Sequence, residues 1–193
     1  MTDRAIHRAS DPLDPLDPLD PLDSPRDGDG GLRIREAVRA LIIGPDRRVL
    51  LVRFEFPDNG RRWALPGGGL EPGESHVDAL RRELVEEVGL HDCTIERQIW
   101  TRLHVVPFID GRYDGQREHI YLVRAPAFDP EPTLTWDQLN AEYVFELRWW
   151  TLDEIVTSDE RFAPEAFGVH LHALLLHPLL PGDPPNPPVD VGV

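Results

Sequence analysis

Apolar runs along this chain alternate with turn-forming residues in a way that predicts both strands and helices. Residues 37–43 and 49–53 are aliphatic and are separated by a Gly-Pro-Asp sequence, which predicts two antiparallel strands joined by a turn. The remaining predicted elements are strands over residues 94–106, 117–125 and 146–151 and helices over residues 152–157 and 164–177. This order of strands with interspersed helices predicts an α/β or α+β sandwich.

A helical periodicity follows a glycine-rich loop in the middle of the chain. Residues 66–69 read Pro-Gly-Gly-Gly, a sequence whose backbone is bare and adaptable. Ser75 is a suitable N-cap, and Gly89 is a natural C-terminal stop. Between them, apolar side chains recur at helical spacing at Val77, Leu80, Leu84 and Val88. The pattern predicts an amphipathic helix over residues 75–88.

Three carboxylates share one face of this predicted helix. Glu83, Glu86 and Glu87 stand at positions i, i+3 and i+4, which brings them within one turn. Arg82 precedes Glu86 by four residues and can help to hold it. Like charges at this spacing repel, and a hard divalent cation such as Mg²⁺ or Mn²⁺ would remove the repulsion. An acidic helix face is more often solvated surface, so the interpretation depends on the surrounding sequence.

The loop and the helix together resemble the Nudix box, the signature of the Nudix hydrolase family. The matching positions are Gly68, Glu74, Arg82, Glu83, Leu84, Glu86, Glu87, Gly89 and Leu90. Seven of these positions are fixed in the box, and at ordinary residue frequencies they match by chance at about 10⁻⁸ per starting point. The flanking order of elements resembles the family over about residues 33–157.

The resemblance implies a fold, a reaction and a set of site residues. The fold is a mixed β-sheet sandwiched between helices, and the reaction is hydrolysis of a phosphoanhydride bond in a nucleoside diphosphate derivative or a nucleoside triphosphate. The implied metal ligands are Glu83, Glu86, Glu87 and the backbone carbonyl of Gly67 or Gly68. Arg82 would orient the carboxylates, and Glu74 would support the metal site or the loop. The proton acceptor would be Glu83, Glu86 or Glu118, and for Glu118 a salt-bridged structural role is an equal alternative.

The sequence specifies the residues that contact the substrate less clearly than it specifies the metal ligands. Arg53, Phe54 and Phe56 follow a predicted strand and are candidates for the mouth of the site, and Trp63, Trp100 and Tyr113 are candidates for stacking on a base. For each of them the alternative is a place in the core or at the rim. No second motif identifies one nucleotide substrate.

The net charge and the amino-acid composition limit the kinds of molecule that this protein is expected to bind. The formal net charge of −15 argues against a nucleic acid as the main partner, because such binding depends on cationic contacts. A bound divalent metal can reverse the local sign for a small phosphorylated substrate. No apolar run is long enough to span a bilayer, and the single cysteine, Cys93, excludes an intramolecular disulfide. We therefore expect a cytoplasmic protein that acts on a small nucleotide-type substrate, and a homodimer is compatible with the sequence.

The two ends of the chain differ from its middle. Residues 1–31 repeat Asp-Pro-Leu four times, and regularly spaced proline blocks helix and sheet, so this arm is predicted to be disordered. The Nudix domain is assigned to residues 32–177, and the proline-rich residues 178–193 are predicted to be irregular. Two alternatives to a hydrolase stay open: a non-catalytic Nudix module that senses a nucleotide or binds a partner, and a same-fold isomerase that would use a reactive cysteine.

Overall fold

The computed structural model of the protein describes residues 31–57, 60–108, 111–177 and 187–192. Its strands are β1 (Ile34–Ile43), β2 (Val49–Phe56), β3 (Gly60–Ala64), β4 (Thr94–His104), β5 (Gly115–Arg124), β6 (Val144–Trp150), β7 (Phe162–Ala163) and β8 (Val189–Asp190). Its helices are α1 (His76–Val88), α2 (Trp136–Ala141), α3 (Leu152–Thr157) and α4 (Phe167–Leu176). None of these helices is long and apolar enough to cross a membrane. Apart from Gly31, the predicted arm lies outside the described residues.

The strands form one mixed sheet around β1 and β5. These two strands are parallel, and their register places Ala37 beside Glu118. On the other edge of β5, β4 runs antiparallel and places Arg102 beside Glu118. β2 follows β1 through the predicted antiparallel turn and then pairs with β3 and β6. The order is β7-β3-β2-β1-β5-β4-β8, with β6 paired to β2.

The glycine-rich loop lies along the edge of β1 that β5 leaves uncovered. The N–H of Val38 donates to the carbonyl of Gly68 at 2.9 Å, and the N–H of Ala40 donates to the carbonyl of Pro66 at 2.9 Å. Gly67 has a φ of 127°, and a Cβ there would collide with the backbone of Val38. Glycine is therefore required for the loop to approach the strand this closely.

Helices pack on both faces of the sheet, which confirms the predicted sandwich. Val38, Ala40 and Ile42 of β1 face α1, whereas Leu41 and Ile43 face α3 and α4. The side chains alternate because successive residues of a strand point to opposite faces. The residues that the three helices bury in these two clusters are Ala79, Leu80, Leu84 and Val88 of α1, Ile155 of α3, and Phe167 and Leu171 of α4.

Three details correct the sequence prediction. The segment over residues 178–193 is predicted to be irregular, but Val189–Asp190 forms β8 against the outer edge of β4, and Val191 is buried in the core. The edge of β4 offers unpaired backbone groups that this short strand satisfies. Val77, assigned to the apolar stripe of α1, is 39% exposed, and Ala79 is buried instead. The helix α2 lies where no element is predicted.

Candidate functional site

The helix that carries the carboxylates has the predicted boundaries. The Oγ of Ser75 accepts a hydrogen bond from the N–H of Asp78 at 3.2 Å and so caps α1. Gly89 ends the helix with a φ of 69°, and its N–H donates back into the last turn. A Cβ at residue 89 would also collide with the carbonyl oxygen of Glu131. Gly89 therefore serves both the helix end and the close approach of the next segment.

The three predicted carboxylates lie beside the glycine-rich loop at different depths. Glu87 is 3% exposed and accepts a hydrogen bond from the N–H of Gly67 at 2.7 Å. Glu83 is 8% exposed, and a Cβ on Gly68 would collide with its carboxylate. The side chain of Glu86 is 35% exposed. Burial raises the pKa of Glu87 to about 8 and also raises the pKa of Glu83, so the two inner carboxyl groups are strongly desolvated.

Arg82 joins these carboxylates to the loop. Its Nε and Nη2 donate to the two carboxylate oxygens of Glu74 at 2.8 and 2.9 Å. Its Nη1 donates to Glu83 at 2.9 Å and to Glu86 at 3.1 Å. The guanidinium of Arg82 lowers the pKa of Glu74 to about 2. A bidentate pair at Glu74 with contacts to two further carboxylates is the arrangement that an orienting role for Arg82 requires.

The guanidinium of Arg39 lies on the sheet side of the same cluster. Its Nη1 donates to the carbonyl of Gly67, and its Nε donates to Glu118 at 3.2 Å. The carbonyl of Gly68 accepts from the N–H of Val38 in β1. The carbonyl of Gly68 is thus held by the backbone of β1 and that of Gly67 by a side chain, so Gly67 is the candidate whose present partner a metal ion can replace without breaking a backbone hydrogen bond.

Glu118 is buried on the interior strand β5 and accepts hydrogen bonds from three side chains. Arg39 and Gln116 donate to one carboxylate oxygen at 3.2 and 2.9 Å, and Arg102 donates to the other at 3.0 Å. Burial by itself would raise the pKa of Glu118, but the charges of Arg39 and Arg102 hold it below its usual value. Such a carboxylate is a weak proton acceptor, so the geometry favours its salt-bridged role.

The oxygen atoms that Mg²⁺ and Mn²⁺ prefer are present in Glu83, Glu86, Glu87 and the Gly67 carbonyl. Within the part of the chain that the structure describes, no group of three or more His, Cys, Asp or Glu side chains is arranged to hold a metal ion. Arg82 binds Glu83 and Glu86, while Glu87 turns to the N–H of Gly67. Carboxylate and carbonyl oxygens of this kind fit a divalent cation. In this structure the same oxygens accept hydrogen bonds from Arg39, Arg82 and the N–H of Gly67.

Two aromatic residues predicted to contact the substrate lie in the core. Trp63 is 3% exposed and packs edge-on against Trp150, with ring centroids 5.0 Å apart. Trp100 is 5% exposed and packs against Phe167 with ring centroids 6.3 Å apart. Both tryptophans belong to the cluster under α3 and α4, where no ring face is available to a base. This burial supports the alternative considered for Trp63 and Trp100, a place in the core.

Arg53 and Phe54 lie on β2 and differ in their relation to the site. Arg53 forms ion pairs with Glu55 at 3.1 Å and with Glu146 at 3.0 Å. Phe54 lies under the guanidinium of Arg39, which is 5.7 Å from its ring centroid. Phe54 therefore contacts the arginine that joins the loop to Glu118, whereas the charge of Arg53 is balanced by two carboxylates.

Arg35, Arg39 and Arg102 also lie at the site, although no sequence motif marks them. The guanidinium of Arg35 lies against Gly69 and 5.6 Å from the ring centroid of Phe108. Burial lowers the pKa of Arg35, and the charge of Arg39 lowers it further. Arg35 and Arg39 stand among apolar residues of β1, a pattern that an ordinary exposed strand face also shows, and nothing in the sequence of β4 distinguishes Arg102.

Cys93 packs against the core cluster around α1. Burial raises the pKa of its thiol, which disfavours the thiolate that a catalytic cysteine needs. This placement removes the chemical basis of the isomerase alternative.

Comparison with known proteins identifies the family. The family model described as NUDIX domain matches residues 33–170, a range that runs from the start of β1 into α4 and includes the box. The chain therefore belongs to the Nudix family and is a Nudix hydrolase.

Relatives of known name agree with this assignment. An RNA pyrophosphohydrolase from Rickettsia bellii is 29% identical over 133 residues, which cover 65% of this chain and 80% of that protein. An RNA pyrophosphohydrolase from Wolbachia pipientis is 31% identical over 117 residues, which cover 57% and 71%. Among solved structures, a MutT protein from Methanosarcina mazei has a TM-score of 0.56 at 19% identity, covering 75% and 94% of the two chains. An Ap4A hydrolase from C. elegans has a TM-score of 0.55 at 18% identity, covering 76% and 100%. These two structural likenesses establish the fold.

Proposed function

We propose that this Nudix hydrolase cleaves a pyrophosphate bond in a nucleoside diphosphate derivative or a nucleoside triphosphate, with Mg²⁺ or Mn²⁺ bound by Glu83, Glu86, Glu87 and the Gly67 carbonyl. The observation that carries the proposal is the direct contact between the glycine-rich loop and the acidic face of α1. Gly67 donates to Glu87, and Gly68 lies against Glu83. One continuous segment thus brings carboxylate and carbonyl oxygens close together, and this supports a divalent cation as the partner of a polyanionic phosphate.

The residues of the chain have separate tasks in this proposal. A bound divalent metal neutralises phosphate charge and lowers the pKa of a coordinated water. Arg82 holds Glu83 and Glu86 in place while Glu74 holds Arg82. The proton acceptor is Glu83 or Glu86 rather than Glu118, because the charges of Arg39 and Arg102 lower the pKa of Glu118 and make it a weaker base.

The relatives named RNA pyrophosphohydrolase support a pyrophosphate bond as the target and bring an RNA 5′ end into consideration. The net charge of −15 opposes extended contacts with an RNA backbone. A short 5′-triphosphorylated RNA therefore belongs in the substrate panel beside small nucleotides. The salt dependence of its binding constant would show how many phosphates the protein contacts.

The test is a panel of nucleoside triphosphates, sugar-linked nucleoside diphosphates, dinucleoside polyphosphates and triphosphorylated RNA, incubated with Mg²⁺, Mn²⁺ or EDTA. We expect chromatography to show pyrophosphate-bond cleavage that EDTA abolishes. The Glu86→Gln variant should lose at least about 100-fold in kcat, because both metal binding and proton transfer depend on that face of α1.

The matched control is Glu96→Gln, since Glu96 is exposed on β4 and pairs with Arg124 outside the site. This variant should keep wild-type turnover. If the wild-type protein binds nucleotides but cleaves none of the panel with either metal, the non-catalytic module becomes the correct interpretation.

A further inference from the structure

A cavity of about 440 Å³ opens where the β1–β2 turn meets the end of β5 and the last turn of α4. We refer to it as the turn cavity. Its volume lies within the range of ligand sites in proteins. Its apolar side chains include Ile43, Ala125, Leu174 and Leu175, and its charged side chains are Arg47 and Arg124. None of these residues belongs to the Nudix box, so the proposed hydrolysis does not account for this cavity.

The turn cavity is a positively charged surface on a strongly negative chain. Its described lining contains two guanidinium groups and no carboxylate, whereas the whole chain has a net charge of −15. Arg124 forms an ion pair with Glu96 at 3.3 Å, and its side chain is still 42% exposed. Within the described residues, the one contact of the Arg47 guanidinium is its Nη2 donating to the carbonyl of Leu175 at 3.4 Å. Arg47 therefore brings to the cavity a positive charge that no carboxylate of the described residues neutralises.

The backbone of Arg47 adopts a conformation that favours glycine. Its φ is 63°, in the left-handed region, and its N–H donates to the carbonyl of Gly44 at 3.0 Å to close the turn. The contact with Leu175 uses one of the five N–H groups of the guanidinium, and the others remain available to a carboxylate. An arginine at a position that suits glycine thus indicates a task for its side chain at the cavity.

A ligand that fits the turn cavity carries apolar side chains and carboxylates, and residues 11–23 of this chain have that composition. They contain five Asp, four Leu and four Pro and no basic residue, and they lie outside the described residues. Proline at every third position favours the polyproline II helix, which has three residues per turn. In such a helix a three-residue repeat places its leucines along one edge and its aspartates along another. The leucine edge matches the apolar lining, and the aspartate edge matches the two arginines.

The chain between the repeat and β1 is long enough to bring the repeat to the cavity. The strand covers Ile34–Ile43, so the cavity lies about 30 Å from the start of β1 at about 3.3 Å per residue. Extended chain from Asp23 to Ile34 spans up to about 36 Å, and extended chain from Asp11 to Ile34 spans up to about 76 Å. Gly31, with a φ of 79° and open space around it, permits the chain to reverse before β1.

We propose that the Asp-Pro-Leu repeat binds in the turn cavity of its own chain, with leucines against the apolar lining and aspartates paired with Arg47 and Arg124. The tether holds the repeat at an effective concentration of about 1 mM, so a contact too weak to form between separate molecules is populated within one chain. Four equivalent units further increase the occupancy, because any of them can enter the cavity. This binding is independent of the proposed hydrolysis and adds an intramolecular interaction surface to the domain.

Amide chemical shifts of full-length proteins test the binding. In the arm variant, Leu13, Leu16, Leu19 and Leu22 are all replaced by Ser. Its shifts should differ from those of the wild type at Ile43 and Ala125 of the lining and agree with them at Gly67 of the glycine-rich loop. Identical shifts of the two proteins at the lining would overturn the proposal.

The dependence on Arg47 is tested by repeating this comparison in two further backgrounds. With Arg47→Gln, the effect of the arm substitutions on the lining shifts should fall at least about threefold, because the aspartates lose their unpaired cation. Arg61→Gln is the matched control, since it removes the same charge from an exposed residue of β3 that pairs with Glu160. The arm substitutions should have their full effect in that background. An equal decrease in both backgrounds would show general electrostatic attraction and would overturn the assigned site.

A peptide of residues 10–24 tests the same contact between separate molecules. Titrated into the full-length arm variant, it should shift the lining amides with a Kd of about 1 mM or tighter. The wild-type protein should bind the peptide at least about threefold more weakly, because its own repeat competes. A peptide of the same composition in shuffled order loses the three-residue period and should also bind more weakly. Equal binding by the wild type and the arm variant, or lining shifts of the wild type that fade on dilution, would overturn intramolecular binding.

Discussion

At the scale of single residues, arginine side chains organise the acidic groups of this site. Arg82 contacts three glutamates of the Nudix box, and Glu118 lies between Arg39 and Arg102. Removing one partner of a buried ion pair lowers the free energy of unfolding more than removing one partner of an exposed pair, because the charge that remains in the buried pair stays desolvated. Mutations in buried and in exposed ion pairs are therefore expected to change the free energy of unfolding by different amounts.

Glu118→Gln is expected to lower the free energy of unfolding by about 3 kcal/mol at neutral pH, because Arg39 and Arg102 then stay buried without their carboxylate. The folded-state pKa of Glu118 lies below its ordinary value of 4.5, so its ionised form stabilises the fold above about pH 4.5. That stabilisation is lost as the pH falls through the lower, folded-state pKa. Urea unfolding of the wild type and the variant at pH 7 and pH 3.5 should show a difference that shrinks in acid.

The control for this measurement is Glu96→Gln, which breaks the exposed pair with Arg124. It should change the free energy of unfolding by less than about 0.5 kcal/mol at both pH values. A difference between the wild type and Glu118→Gln that is the same at pH 7 and pH 3.5 would contradict the assigned ion pairs.

At the scale of secondary-structure elements, the sequence predicts best those elements in which apolar residues recur over a long and regular stretch. The helix α1 repeats its apolar positions over 13 residues and has a cap at each end, so its limits were predicted. The six-residue helix α2 has too few positions to show a period, although the capping box of Thr135 and Gln138 was a usable signal. The two-residue strands β7 and β8 have no periodicity, and only their partners β3 and β4 define them.

The end of α1 allows a prediction at this scale. Gly89→Ala should lower the free energy of unfolding by about 3 kcal/mol, because it adds the cost of a left-handed alanine, about 1–2 kcal/mol, to a collision with the carbonyl of Glu131. Gly73→Ala is the matched control: its φ is 85°, but nothing lies within 4 Å of the added Cβ. Thermal or urea unfolding should show a cost of about 1 kcal/mol for Gly73→Ala. Equal costs at the two positions would show that the contact with Glu131 has no effect.

At the scale of the whole molecule, the two ends of the chain have different relations to the Nudix domain. The arm precedes the region that matches the family, which begins at residue 33. The other end returns to the domain, since β8 pairs with β4 and the carbonyl of Gly192 accepts from Arg102 at 3.2 Å. We therefore expect removal of the first segment to be tolerated and changes in the last segment to be costly.

Deleting residues 1–31 should change kcat and KM by less than about twofold, because the residues proposed for the site lie within the region that matches the family. Steady-state kinetics of the shortened and full-length chains, each with Mg²⁺ or Mn²⁺, provide the measurement. A loss of turnover of tenfold or more would place the Asp-Pro-Leu arm at the site.

Val191→Ala should lower the free energy of unfolding by about 1–2 kcal/mol, because Val191 is 5% exposed and packs in the core under α3 and α4. The exposed neighbour Val189 supplies the control, since Val189→Ala removes the same atoms from a side chain that is 55% exposed. Urea unfolding should separate the two variants. Equal stability of both would show that the end of the chain does not pack on β4.

The sequence by itself determined α1, the glycine-rich loop before it and the family to which they belong. Caps, helical period and glycine conformations depend on residues within a few positions of one another, so a linear pattern contains them. Only the tertiary structure decided that Trp63 and Trp100 are core residues and that Arg39 and Arg102 meet at Glu118. Arg39 and Glu118 are 79 positions apart, and the parallel register of β1 and β5 joins them; no local pattern encodes that register.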